Sequence, residues 1–122
     1  MSETAGLILF GHGGRDPRWR EPFDHLLALV EARHTGPVSL AFLESMQPDL
    51  VTACGDLAAR GARTIVVVPV FLGTGGHLRK DLPGLIETAR HKCGVPVTAV
   101  DAIGENRQVL LAVADYCLRA MD

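Results

Sequence analysis

The sequence predicts an α/β fold, a three-layer α/β/α arrangement around a four-stranded parallel sheet of order 2-1-3-4. Three observations predict it. Four short, β-branched apolar runs alternate with four stretches in which apolar residues recur at three- and four-residue spacing. The runs are bounded by Gly, Pro or charge and show no polar face, as strands buried on both sides do. Finally, 122 residues, 48% hydrophobic and 21% charged, suit one compact domain over 1–122 and exclude disorder and coiled coil.

The strands are read at Leu7–Gly11 (LILFG), Val38–Leu43 (VSLAFL), Thr64–Val70 (TIVVVPV) and Val95–Val100 (VPVTAV). A helical stripe follows each: Phe23, Leu26, Leu27 and Val30; Leu50, Val51, Cys54, Leu57 and Ala58; Leu82, Leu85, Ile86 and Ala89; Val109, Leu110, Val113, Cys117 and Leu118. Pro22, Pro48 and Pro83 stand near the expected helix starts, and Gly61 and Gly94 where C-terminal caps belong. Pro69 and Pro96 fall inside strand patterns and remove ladder donors there. Short connections between alternating elements imply right-handed crossovers, with helices on both faces of the sheet.

Composition narrows the function. Twelve Lys and Arg stand against fourteen Asp and Glu, a net charge of -2 with no basic block, so nucleic-acid binding has no electrostatic footprint. The longest apolar run, Ile65 to Leu72, contains Pro69 and falls well short of the ~20 residues a membrane span needs. The N-terminal MSETAG has no cationic segment before an apolar one, and no secretory leader is expected. Cys54, Cys93 and Cys117 are odd in number and never CxxC, which points to buried thiols in a reducing cytoplasm rather than disulfides or a thiolate zinc site.

In a sheet of this order, ligands bind beyond the carboxyl ends of the strands, where the winding direction reverses. Strand 1 runs out into Gly11-His12-Gly13-Gly14-Arg15-Asp16-Pro17, strand 2 into Glu44, strand 3 into Gly73-Thr74-Gly75-Gly76-His77 and strand 4 into Asp101. Because neighbouring strands lie about 4.8 Å apart, His12, Glu44 and His77 could converge on one point. Two imidazoles and a carboxylate with open positions suit a divalent transition ion that must exchange ligands. Gly13, Gly76 and the glycines beside them let the backbone turn sharply and leave space above the imidazoles for something broad. Arg15, Arg18, Arg79, Lys80 and Arg107 cluster just past the strand ends, which in a net acidic chain suggests a ligand carrying several carboxylates or phosphates. His25, His34 and His91 read as surface or capping residues. The glycine loops could equally cradle a phosphate at a helix N-terminus, although neither carries GxxxxGK[ST] or GxGxxG, leaving a nucleotide unsupported.

FGHGGRDPRW after strand 1, AFLESMQP through strand 2, ARTIVVVPVFLGTGGHLRKDLP through strand 3 and the IGEN turn after strand 4 together resemble the small CbiX-type class II chelatases. The resemblance covers nearly the whole chain in order. It implies ATP-independent insertion of a divalent metal, Co²⁺ with Ni²⁺ or Fe²⁺ as alternatives, into sirohydrochlorin or a related tetrapyrrole. Such a lyase would serve cobalamin- or siroheme-type biosynthesis in the cytoplasm. It further implies a homodimer whose cleft lies between subunits, and it maps the metal-site residues to His12, Glu44 and His77. Arg15, Arg18, Arg79, Lys80, Arg107, Gly13 and Gly76 become expected substrate contacts. Two departures stand out: Gly14 replaces the family's usual Ser, and Asn106-Arg107 replaces a frequent His-Pro. Two other functions compete, a non-catalytic metal or tetrapyrrole carrier and a phosphoryl-transfer domain using His12 as nucleophile. The second gives Glu44 no task.

Overall fold

A computed structural model describes residues 4–122. Its central strand, β1 (Ala5–Gly11), carries the fully buried Ile8 and Phe10 and pairs in parallel with β2 (Val38–Phe42) and β3 (Thr64–Pro69) on its two sides. A short β4 (Val97–Ala99) pairs with β3, so the order is β2-β1-β3-β4, as the alternating pattern predicts. Strand limits differ by a residue or two. The first strand starts at Ala5, the second and third end at Phe42 and Pro69, and the fourth shrinks from Val95–Val100 to Val97–Ala99. Pro96 explains the last case, because without an N–H it contributes only its carbonyl, which accepts from the Ile65 amide at 2.9 Å.

Helices α1 (Glu21–Glu31), α2 (Leu50–Ala59), α3 (Gly76–Cys93) and α4 (Arg107–Arg119) alternate with the strands, with short 3-10 turns at Pro17–Arg20 and Ile103–Glu105. Asp49 starts α2 by accepting the Thr52 amide at 2.8 Å, and this bond holds its carboxyl below the usual carboxylate range. Gly61 (φ 99°) and Gly94 (φ 79°) take the left-handed conformation at the ends of α2 and α3, as their capping role requires. The second and third helices cover one sheet face, where Ala53, Cys54, Leu57 and Ala89 pack with Ile8, Ile65 and Val67. On the other face α1 lies over β2 and β1, with Phe23, Leu26, Leu27 and Val30 against Leu9, Val38, Leu40 and Phe42. The fourth helix has no buried residue, and its main contact is the 3-10 turn before it.

Two expectations need correction. Pro83 lies inside α3 rather than near its start, because the helix begins at Gly76. An interior proline costs a helix about 3 kcal/mol, but Leu82, Leu85, Ile86 and Ala89 pack on the core from the same turns, and burial of each is worth up to about 1.5–3 kcal/mol. Burial wins. The cysteines are not uniformly buried either: Cys54 is, Cys93 is half-buried and Cys117 is exposed, because it sits on the helix that does not pack on the sheet. His25 and His91 are exposed, while His34 Nε2 lies 2.9 Å from the Ala5 carbonyl. Among the described residues no helix is long and apolar enough to cross a membrane. The part of MSETAG before Thr4 lies outside the described residues.

Leu57 is fully buried, so Leu57→Ala should lower unfolding free energy by about 2–5 kcal/mol, read from chemical denaturation. Burial, reinforced by Cys93, pushes the Cys54 thiol from 9.0 up to about 12. Above pH 9.0 the unfolded chain releases that proton while the native state retains it. Stability should therefore fall as pH rises from 9.0 towards about 12, and Cys54→Ala should flatten that slope in denaturation midpoints.

Candidate metal centre and cavity

The first two strands continue to hydrogen-bond beyond their formal ends, and this brings the first histidine to the acid. Leu43 N–H donates to the Gly11 carbonyl at 2.9 Å and Glu44 N–H to the His12 carbonyl at 3.1 Å. Gly13, at φ 91°, lies so close beneath this loop that a Cβ there would overlap the Glu44 carbonyl oxygen. The same carbonyl accepts the Met46 amide at 2.8 Å across Ser45, which stands at φ 66°. Glu44 is thus held at both its amide and its carbonyl. Its side chain closes the arrangement, with Oε1 2.9 Å from His12 Nε2, both side chains being 60% exposed. Since a carboxylate only accepts, Nε2 carries the proton of this bond and Nδ1 remains free.

Past β3, Val70 N–H donates to the Phe10 carbonyl at 2.8 Å and carries the pairing on to Phe71. Phe71 packs edge-on against Phe10 at 5.9 Å and against His12 at 6.3 Å between ring centres. The glycine-rich segment then leads into α3, which carries His77 in its first turn. Between them lies an open cavity of about 880 Å³ bordered by His12, Leu43, Phe71, His77, Leu78, Asp81 and Leu85, with Gly73, Gly75, Gly84 and Thr88. Ligand sites commonly span ~300–1,000 Å³, mostly apolar with a few polar groups. A second hollow of about 330 Å³ lies against Gly13, Trp19, Phe23 and Val70, and His12 and Phe71 border both.

The sequence-predicted residues are only partly gathered. His12 touches Glu44, and His12 and His77 line one cavity. Yet no three His, Cys, Asp or Glu side chains among the described residues form a ready cage for an ion. His77 stands in the first turn of α3, on a different element from the strand-end pair. Of the glycines, Gly13 serves the close approach to Glu44, and a Cβ on Gly76 would meet open space. The two loops differ in this respect, because Phe23 and Trp19 fill the room beside Gly11 and Gly14 whereas Gly73, Gly75 and Gly76 are open. Two of the five cations are engaged, Arg18 with Asp16 at 2.7 Å and Arg79 with Glu105 at 3.4 Å. The Arg18 pairing holds the Asp16 carboxyl below its usual range. Arg15, Lys80 and Arg107 are exposed and form no ion pair among the described residues.

Sequence reasoning missed Phe71, Leu78, Asp81, Leu85 and Thr88 as cavity walls, with Leu85 assigned to the core alone. Positions 78, 81, 85 and 88 share one helical face through three- and four-residue steps, a stripe overlapped by the core stripe beside it. That spacing was the available signal.

The profile of the CbiX family matches residues 6–120. Two sirohydrochlorin cobaltochelatases are similar to the chain. That of Methanococcoides burtonii is 34% identical, over 99% of this chain and 100% of its own length. That of Methanosarcina acetivorans is 33% identical, over 78% and 74%. Among solved structures, a CbiX protein from Marinobacter aquaeolei superposes with a TM-score of 0.87 at 32% identity, covering 96% of this chain and 97% of the other. The sirohydrochlorin chelatase SirB of Bacillus subtilis, solved with cobalt, gives a TM-score of 0.77 at 27% identity and covers 92% of this chain but 49% of its own. With strand order, cavity and these likenesses in agreement, the chain belongs to the CbiX family.

Proposed function

We propose that the protein is a metal chelatase, a lyase that inserts a divalent ion into sirohydrochlorin or a closely related tetrapyrrole without a nucleotide. The observation that carries this reading is one cavity, walled by Leu43, Phe71, Leu78 and Leu85, that presents His12 and His77 from different elements. Apolar walls suit the faces of a macrocycle, and neutral imidazoles suit an ion that must be gripped and then released. The relatives' names support sirohydrochlorin as the acceptor. We propose Co²⁺ as the metal, with Ni²⁺ and Fe²⁺ as competitors, since affinity alone favours Ni²⁺ and the choice rests on supply and substrate. The two-fold longer SirB chains bind cobalt in one structure and iron in another.

Insertion strips water from the ion, bends the macrocycle so that its nitrogen lone pairs face the metal, and releases two pyrrole N–H protons. His12 offers Nδ1 to the ion while its Nε2–H rests on Glu44, the arrangement that fixes the tautomer of many metal-binding histidines. His77, from α3, receives or releases the ion in the same cavity. Glu44 and Asp81 are the carboxylates placed to take the pyrrole protons. Arg15, Lys80 and Arg107, free of ion pairs among the described residues, are the cations available to the substrate's carboxylates, with Arg18 and Arg79 as contacts once their present partners are displaced. Gly76 leaves the ring its approach, and Gly13 acts on the site by letting the His12 loop lie against the Glu44 backbone. The protein works in the cytoplasm within cobalamin- or siroheme-type biosynthesis, as one domain over 1–122 that pairs with a second copy to wall the macrocycle. The phosphoryl-transfer reading draws less support, because the matching family and the named relatives are chelatases.

Incubating sirohydrochlorin with Co²⁺ and the protein should shift the tetrapyrrole absorption bands with many turnovers per chain. Binding without turnover would make it a carrier. His77→Ala should lower turnover at least 100-fold with the circular dichroism spectrum unchanged, and full retention would remove His77 from the mechanism. Glu44→Gln should cost about 10–100-fold, the usual penalty for disturbing a ligand's orienting partner. In weakly buffered solution, two protons should appear per ion inserted.

A further inference from the structure

The third helix borders two hollows. His77, Leu78, Asp81, Gly84 and Leu85 line the cavity of about 880 Å³, while Arg79, Leu82, Pro83 and Ile86 line another of about 490 Å³, shared with β4 and Glu105. Protein interiors are close-packed, so a helix with this much space beside it is held only where it touches the core. From Leu82 onward it does, through Leu82, Leu85, Ile86 and Ala89. Before Leu82 it does not: His77, Arg79, Lys80 and Asp81 are exposed, and Leu78, half-buried, belongs to neither core cluster. Gly75 starts the helix without a side-chain cap.

The helix is weakest where these two parts join. Pro83 has no N–H to give to the Arg79 carbonyl, so a bond is missing from the ladder there. Gly84 follows it, the poorest helix former after proline, and a Cβ on Gly84 would meet open space. Sharp bends in helices fall at prolines above all. Residues 76–81 are thus an arm that carries both His77 and Asp81 and has its pivot at Pro83.

A single ion pair ties the arm down. Arg79 Nη2 donates to Glu105 Oε1 at 3.4 Å, the two side chains being 65% and 41% exposed. The acid sits on a fixed base, because the Glu105 amide donates to the Ala102 carbonyl and the Gly104 amide to the Phe71 carbonyl, each at 2.9 Å. A long, exposed pair of this kind is worth little. A ligand carboxylate that engages the guanidinium through two hydrogen bonds is the stronger partner and displaces Glu105.

We infer that Glu105 is a positioning residue for His77: through Arg79 it holds the first turns of α3 back, and a substrate carboxylate that draws Arg79 away frees the arm to pivot at Pro83. The freed arm closes on the cavity that His77 shares with His12, bringing His77 and Asp81 onto the bound ring. Docking of an acidic macrocycle and completion of the site then become one event.

The trigger rests on the proposed function, and hydrogen exchange of the full chain without substrate, read by mass spectrometry, separates the two. Glu105→Gln should speed exchange of amides 79–82 at least about twofold and leave 86–92 unchanged. Asp101→Asn, which removes a charge from the same hollow but not the tie, should change neither. Pro83→Ala restores the missing donor and should slow amides 79–82 at least about fivefold, with Gly84→Ala as the substitute if circular dichroism shows that it does not fold. In cobalt insertion into sirohydrochlorin, Glu105→Gln should lower the KM for the tetrapyrrole about threefold, since no tie has to be broken. Pro83→Ala should instead lower kcat about tenfold with KM held. Unchanged exchange in Glu105→Gln overturns the tie, and wild-type kinetics in both variants overturn its part in the reaction. The expected exchange in a protein whose wild type turns nothing over upholds the tied arm and overturns the proposed function.

Discussion

The burial of β1 between two parallel neighbours is the constraint from which the site follows. Ile8 and Phe10 are inaccessible to solvent, and a one-residue slip of this strand would turn them to the opposite face. The register is therefore fixed: Gly11 lies beside Phe42 and Phe10 beside Pro69. Three strands end at one level, and whatever follows them is brought together. His12, Glu44 and Phe71 are neighbours because the strands beneath them are in step.

That constraint also explains how much could be read without coordinates. Strands buried on both faces are continuous apolar runs, so their number, their parallel pairing and the position of the site at their carboxyl ends were legible, as were Gly61 and Gly94 as helix caps. The contact of His12 with Glu44 was legible as two strand ends side by side. His77 was harder. Its distance from the pair depends on the path of Gly73 to Gly76, where the backbone is least restricted by sequence. The start of α3 was hidden for a related reason, since Pro83 imitates a helix beginning while packing on the core carries the helix through it. The role of the cations depended on Asp16 and Glu105, acids whose partners no local pattern reveals.

Among the described residues the site has no closed cage of three ligand-type side chains. A cage of three or four ligands would hold an ion at equilibrium and slow its departure. Under the proposed function, two histidines on different elements, one of them backed by a carboxylate, would leave the ion exposed to a competing set of nitrogen donors, which is what transfer to a macrocycle demands. The half-exposed His12–Glu44 pair adds little to stability, and its value lies in orientation.

The indole of Trp19 has a consequence for how such sequences diverge. A Cβ on residue 14 would lie 2.6 Å from Trp19 Cδ1, so the two positions compete for one volume. A chain bearing serine at 14 must swing the ring aside, and the indole, 63% exposed, has solvent to move into. The bare backbone at Gly14 is the counterpart of the bulk five residues later.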